Sequence, residues 1–347
     1  MTVKWGVIGA GGIADRRTIP EGILSAKNAS LVAVMDIDRK KAAEVAQKYG
    51  GVKRYFREKD LLSDPDIDAV YIATATYLHK EQTCMAAIAG KHVLCEKPMA
   101  MTLIECEEMI DACRKNRVKL MLGYMMRFHA IRQVIKRMVD DGKLGKIVLA
   151  RAQLSCWYPP IAGAWRQKLE LGGGGSLIDM GTHCIDLLEM FVGKASKINC
   201  FVANAVHAYE SEDSAIALLE FENGAHGVVD SYFNIPCESS ENRLEIYGTR
   251  GSIMASGTIG QASDGEAIAR PESIVEDYDA LQTGIDASGG VLLKPELVNI
   301  YQAEIEHFSE CIEKDRTPWI TGEAGMRNLK LVLAGYESAR CGKAMPL

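Results

Sequence analysis

One pattern constrains this chain more than any other. Through its first 123 residues, short apolar runs alternate with longer stretches of helical spacing. The runs are Val3–Ile8, Leu31–Met35, Ala69–Ala73, His92–Cys95 and Val118–Leu122. Between them, segments near Ile13–Ala26, Arg39–Tyr49, His79–Ala89 and Thr102–Asn116 repeat their apolar residues at helical intervals. The runs are continuously hydrophobic rather than alternating, so each strand needs cover on both faces. Strands separated by helices then predict a parallel, doubly wound α/β sheet.

Beyond residue 123 the pattern changes. A helical stretch, His129–Asp141, leads to longer strand candidates at Lys146–Ser155, Lys197–Ala205, Ser214–Phe221, Ala225–Tyr232 and Arg243–Tyr247. Short turns such as Glu222-Asn223-Gly224 separate them, a hairpin signal that predicts a mostly antiparallel sheet. Ser256–Gly290 is polar and Gly-rich and reads as an extended loop or irregular ribbon. Two helices close the chain, one repeating Tyr301, Ile305, Phe308 and Ile312, the other Met326, Leu329, Leu333 and Tyr336. At 347 residues the chain suits two domains, which we divide as 1–123 and 124–347.

Composition narrows the function. The chain is 48% hydrophobic and 25% charged, as expected of an ordinary globular protein, and no apolar run approaches the ~18 residues of a membrane span. A net charge of −6 argues against a nucleic-acid partner. None of the ten cysteines forms a C-x-x-C pair, and Cys84, Cys106, Cys113 and Cys200 fall in apolar patterns. Reduced thiols in a cytoplasmic protein are the simplest account.

The stretch "VIGAGGIAD" sets Gly9, Gly11 and Ala14 as G-x-G-x-x-A, with Gly12 and Ile13 between, after a strand and before a helix. Gly9 permits a tight turn, Gly11 lets backbone approach a pyrophosphate, and Ala14 allows close helix–strand packing. The helix start then offers unpaired amides to the phosphates. The second strand ends at Asp36, 22 residues beyond Ala14. A carboxylate there accepts from ribose hydroxyls and repels a 2′-phosphate, which favours NAD over NADP. Arg39 and Lys40 are close enough to meet such a phosphate if Asp36 turns away, and Asp36 could instead cap the next helix.

Two further features carry chemistry. "HVLCEKPMA" runs from a strand into Glu96, Lys97 and Pro98, at the sheet edge where ligands of open parallel sheets bind. "GGGGSLIDMGTHCIDLLEMF" reads as a helix from Ser176, with Leu177, Ile178, Cys184, Ile185, Leu188 and Phe191 on one face. Asp179, Thr182, His183 and Asp186 share the other, so Asp179 and His183 address one point. The preceding glycines suit the close approach of a flat ligand ring. Three other readings stand beside this: Ser176 and Asp179 as a capping box, His183 as an interfacial residue, and the Asp–His–Asp set as metal ligands.

Together, G-x-G-x-x-A, Glu-Lys-Pro and Gly-Gly-x4–5-Asp-x3-His-x2-Asp resemble the Gfo/Idh/MocA oxidoreductase family. The similarity extends through "VYIATATYLHKEQTCMAAIAGKHVLCEKP", "GKLGKI", "IYGTRGSI" and "AGYESARCGKAMPL". The resemblance implies an N-terminal Rossmann domain binding NAD(P), with Gly9, Gly11, Gly12, Ile13, Ala14, Asp36, Arg39, Thr74, Glu96 and Lys97 as the candidate contacts. It also implies a C-terminal α/β domain whose large, open, mainly antiparallel sheet forms a homodimer or homotetramer. Family members commonly carry proline after the Thr at the "IAT" strand end, where this chain has Ala75.

Lys97, Asp179 and His183 match the family's catalytic set, and family schemes give the acid–base role to either Lys97 or His183. A neutral histidine suits removal of a hydroxyl proton near pH 7, and a lysine suits stabilisation of alkoxide charge. Arg127, Tyr158, Trp165 and Arg166 are candidates to line a pocket for a sugar, cyclitol or related polyol. His79 either sits near the nicotinamide or simply opens its helix at the surface. The leading expectation is an NAD(P)-dependent dehydrogenase or reductase. An NAD-using glycosidase and a non-catalytic dinucleotide sensor are the alternatives.

Overall fold

The computed structural model describes residues 2–270 and 289–347. The first sheet contains β1 (Val3–Ile8), β2 (Ala29–Met35), β3 (Lys53–Tyr55), β4 (Ala69–Ile72), β5 (His92–Glu96) and β6 (Leu120–Gly123). All neighbours run parallel, in the order β3-β2-β1-β4-β5-β6. Every residue of β4 is buried, as is nearly all of β1, which is what continuous apolar runs require of strands covered on both faces. The edge strand β3 was not anticipated. Its Lys53-Arg54-Tyr55 is polar because an edge strand is half solvated.

The strand order reverses between β1 and β4, which opens a crevice at their carboxyl ends. Gly9 turns the chain there with φ +85°, and a Cβ on it would lie 2.9 Å from the Ala73 carbonyl. A side chain at this point would close the crevice.

The second sheet contains β7 (Ile147–Ser155), β8 (Ala195–Ala203), β9 (Ser214–Phe221), β10 (His226–Tyr232), β11 (Leu244–Gly248), β12 (Ser252–Ser256), β13 (Glu266–Arg270), β14 (Val291–Leu292) and β15 (Met345–Pro346). Its order is β14-β13-β12-β11-β7-β10-β9-β8-β15, antiparallel throughout except for β7 beside β10. β13 corrects the reading of Ser256–Gly290 as wholly irregular: Glu266–Arg270 alternates in burial and pairs with β12. The remainder of that stretch, 271–288, lies outside the described residues.

One face of this sheet is covered by the helices Thr182–Val192 and Gly322–Cys341. The other leaves Phe201, Ile216, Leu218 and Met254 exposed. The helix Ile300–Glu313 returns to the first sheet instead. There Trp5 Nε1 donates to Ser309 Oγ at 3.2 Å, and the Trp5 ring packs against Phe308 at 5.9 Å. Ile320 continues the return, its carbonyl accepting from Leu122 N at 3.1 Å. The carboxyl ends of the first sheet therefore face the helix that carries Asp179 and His183.

Candidate active site

A cleft of about 390 Å³ lies between these elements. Gly12, Ile13, Thr74, Glu96 and Lys97 line it from the first sheet, and Tyr158, Trp165, Arg166, Asp179 and His183 from the second part of the chain.

The nucleotide side is built around Gly11. A Cβ on Gly11 would point at Asp36 Oδ2, 3.8 Å away, and would fill the space over that carboxylate. Gly12, with φ +54°, faces open space. The Asp36 Oδ1 accepts from Asp38 N, while Asp38, not Asp36, caps the helix Arg39–Lys48 by accepting from Lys40 N and Lys41 N. The capping alternative for Asp36 is therefore excluded, and its second oxygen remains turned to the glycine turn. The glycine turn leads straight into the helix Ala14–Ile23, whose first amides, Ala14 N and Asp15 N, donate to the Gly11 carbonyl at 3.1 and 3.4 Å. A bare backbone beside a helix start, with a carboxylate at the end of the second strand, fits a dinucleotide. Arg39 stacks its guanidinium 4.5 Å over the Phe56 ring. Thr74 donates to Gln82 Oε1 at 2.6 Å. Ala75 takes φ −71°, ψ 146°, the backbone that proline would impose, so this loop keeps the shape its sequence put in doubt.

His79 is corrected. It neither reaches the cleft nor opens onto the surface; it is buried, with Nδ1 2.9 Å from the Pro98 carbonyl and Nε2 3.2 Å from that of Thr74. It ties two loops together from behind, and burial pulls its pKa down.

The chemistry-bearing side chains converge on Asp179. Lys97 Nζ donates to the Asp179 carbonyl at 2.7 Å and to its Oδ1 at 2.8 Å. Arg166 Nε reaches the same oxygen at 3.2 Å while its guanidinium lies 4.3 Å over the Trp165 ring. Burial alone would raise the Asp179 pKa. The Lys97 ammonium and the Arg166 guanidinium overcome that and hold the carboxyl well below the usual carboxylate range. His183 is buried, its ring edge-on to Tyr124 at 5.7 Å, and its Nδ1 is unpartnered. Burial and the Lys97 charge keep it neutral, against the opposing pull of Asp179. Glu96 turns inward instead, accepting from Tyr71 Oη at 2.5 Å, and burial raises its pKa.

Arg127 is also corrected. It does not line the cleft, because its guanidinium makes a two-pronged ion pair with Asp186, at 2.8 and 2.6 Å. The same pair removes Asp186 from any metal set, and among the described residues no cluster of His, Cys, Asp or Glu could hold a metal ion.

The four glycines approach protein rather than a ligand ring. A Cβ on Gly174 would sit 2.0 Å from Tyr336 Oη, and one on Gly175 would sit 1.9 Å from the Glu212 carbonyl. The buried Glu212 carboxylate is the residue that sequence reading missed. Its oxygens accept from Gly175 N at 2.8 Å, Leu177 N at 2.9 Å and Tyr336 Oη at 2.8 Å. An acceptor with three donors at the start of the Asp179–His183 helix fixes where that helix begins. Ser176 Oγ makes no capping bond, and Asp179 points at Lys97, so the capping-box reading falls. The helix also starts with a π turn, Leu177–Gly181, that sequence periodicity does not reveal.

Comparison with known proteins agrees with this arrangement. Residues 3–124 match an oxidoreductase family with an NAD-binding Rossmann fold, and residues 132–254 match the GFO/IDH/MocA C-terminal domain. The chain is 29% identical over 343 residues to 1,5-anhydro-D-fructose reductase of Ensifer adhaerens, covering 98% of this chain and 97% of that protein. It is 31% identical over 256 residues to trans-1,2-dihydrobenzene-1,2-diol dehydrogenase of Mus musculus, covering 72% and 74%. The crystal structure of aldose-aldose oxidoreductase from Caulobacter crescentus, complexed with glycerol, superposes with a TM-score of 0.88 at 28% identity over 100% of both chains. No helix among the described residues is long and apolar enough to cross a membrane.

Proposed function

Since the chain belongs to the Gfo/Idh/MocA family of NAD(P)-dependent oxidoreductases acting on alcohol groups, we propose that its own substrate is a sugar, cyclitol or related polyol. We divide the labour at residue 123, with the nucleotide held before it and the substrate and the self-association surface supplied after it. The exposed Phe201, Ile216, Leu218 and Met254 face of the second sheet supports a homodimer or homotetramer.

One observation carries the reading: Lys97, from the end of β5, reaches Asp179 at 2.8 Å across a cleft that the glycine turn also lines. Gly9, Gly11, Gly12, Ile13 and Ala14 would cradle the dinucleotide pyrophosphate, and Asp36 its adenosine ribose. The nicotinamide, when bound, supplies the two-electron acceptor or donor. Two of the three Lys97 N–H groups are spent on Asp179, which leaves one for the reacting oxygen. The Nδ1 of His183 is buried and unpartnered, and in this reading Nε2 faces the substrate hydroxyl and takes its proton. Asp179, held ionised between two cations, orients Lys97 and does not compete for that proton. Arg166, Trp165 and Tyr158 offer a flat aromatic and guanidinium wall to a polyhydroxylated ring.

The test is a panel of aldoses, cyclitols and their keto forms, each with NAD and NADP, read at the reduced-nicotinamide absorbance. Turnover with members of the panel, stronger with NAD, is expected. Tight cofactor binding without turnover on any member would overturn the substrate class.

A further inference from the structure

Outside the cleft, and sharing no lining residue with it, a groove of about 510 Å³ runs beside the helix Ile300–Glu313. Trp319 is 55% exposed at its mouth, a large aromatic surface to leave in water. The indole is nonetheless rigidly held. It stacks on Phe128 with ring centroids 5.3 Å apart and an interplanar angle of 10°, and it contacts the His307 ring at 4.4 Å. Phe128 is only 4% exposed, so it lies beneath the indole.

Hydrogen-bonding groups line the same groove. Trp319 N donates to His307 Nε2 at 3.0 Å, which fixes the tautomer of a ring kept neutral by burial, its pKa pulled down to about 4. His307 Nδ1 therefore carries the hydrogen and has one N–H to give. Gln133 spends its Nε2 on the Arg127 carbonyl and leaves Oε1 without a donor. Glu306 takes Lys27 N and Gln302 Nε2 on Oε1, which leaves Oε2 open.

A flat apolar platform in a groove that also holds an imidazole donor, the Gln133, Glu306 and Asn28 acceptors and the charged Lys27, Glu310 and Lys314 is a poor match for an apolar protein surface, which would strand the polar groups. It matches a ring with an apolar C–H face and hydroxyls at its edge. We propose that this groove is a second, non-catalytic saccharide site, in which a neutral pyranose stacks on Trp319 and bonds to His307, Gln133 and Glu306. The proposal goes beyond the redox reading and does not depend on it.

The experiment uses full-length protein with NAD bound and methyl β-D-glucopyranoside as probe. Tryptophan fluorescence is titrated in a Trp165→Phe background, which silences the indole of the cleft. A saturable change is expected, with half-saturation on the order of 1 mM, the scale for a ligand of this size. It is lost in Trp165→Phe/Trp319→Ala. Trp319→Ala alone keeps kcat/KM within about twofold on any substrate the panel identifies. An absent change up to about 50 mM, or one that survives loss of Trp319, overturns the proposal. So does a shift in the oligomeric mass of Trp319→Ala by sedimentation, which would make this face a contact between copies.

Discussion

Glu212→Gln is the most informative single perturbation of this fold. The substitution keeps shape and replaces one carboxylate oxygen by an NH₂ group. The native oxygens serve Gly175 N on one side, and Leu177 N with Tyr336 Oη on the other. In either orientation of the amide, at least one buried donor loses its acceptor and meets a second donor. The remaining bonds lose their charge assistance as well. Burial already pushes the Glu212 pKa up against the pull of its donors, so the site has no solvent to repair the loss. A stranded buried donor costs about 1–3 kcal/mol, and two face to face bring the expected destabilisation to about 3 kcal/mol. For a chain of 347 residues that is a fall in Tm of about 4 °C. The helix start also shifts, and Asp179 and His183 shift with it, which lowers kcat by about tenfold or more. The Kd for NADH stays the same, because no nucleotide-side residue touches Glu212. Calorimetry, steady-state kinetics and an NADH fluorescence titration read the three quantities. A Tm within 1 °C of the parent together with kcat within twofold would refute the reasoning.

Three other outcomes follow from the site. Lys97→Ala and His183→Ala each lower kcat by about 10²-fold or more while NADH still binds, as read by stopped-flow and fluorescence titration; full turnover in either variant would remove that residue from the chemistry. Asp36→Ala lowers kcat/KM with NAD by roughly tenfold and narrows the gap to NADP, and an unchanged ratio of the two would show that Asp36 makes no ribose contact. His129 supplies a pH dependence of stability. Burial and the nearby Arg132 charge pull its pKa down to about 4, below the ordinary value of 6.5. The unfolded chain therefore binds a proton first as pH falls, so its contribution is intact above pH 6.5 and is lost progressively between there and about 4. The loss reaches up to about 3 kcal/mol, and denaturant midpoints of His129→Asn should show a flatter slope across that window.

The first sheet was legible because its strands are buried on both faces and its glycine turn has one stereochemical use. β3, β12, β13, β14 and β15 were not, since short or edge strands carry too few apolar residues to stand out. Lys97, Asp179 and His183 could be read from sequence, and they meet in the cleft. Arg127 and His79 misled for a shared reason: a polar residue near a site is as easily consumed by its neighbours as offered to a ligand. Asp186 and the Pro98 carbonyl lie too far along the chain for spacing to reveal them, and the nearby Thr74 carbonyl belongs to the backbone, which side-chain spacing does not show. The glycines signalled close approach correctly, but sequence could not say that the approaching object was Tyr336 and Glu212.

The return of Ile300–Glu313 to Trp5 has a consequence for biosynthesis. The nucleotide-binding half is translated well before the helix that covers its first strand, which begins only at Ile300. As the ribosome works toward residue 313, the nascent half holds Trp5 and Ile23 without their partner, an apolar surface open to chaperones and to aggregation. Premature stop codons anywhere upstream of that helix should therefore yield insoluble fragments rather than a free cofactor-binding module.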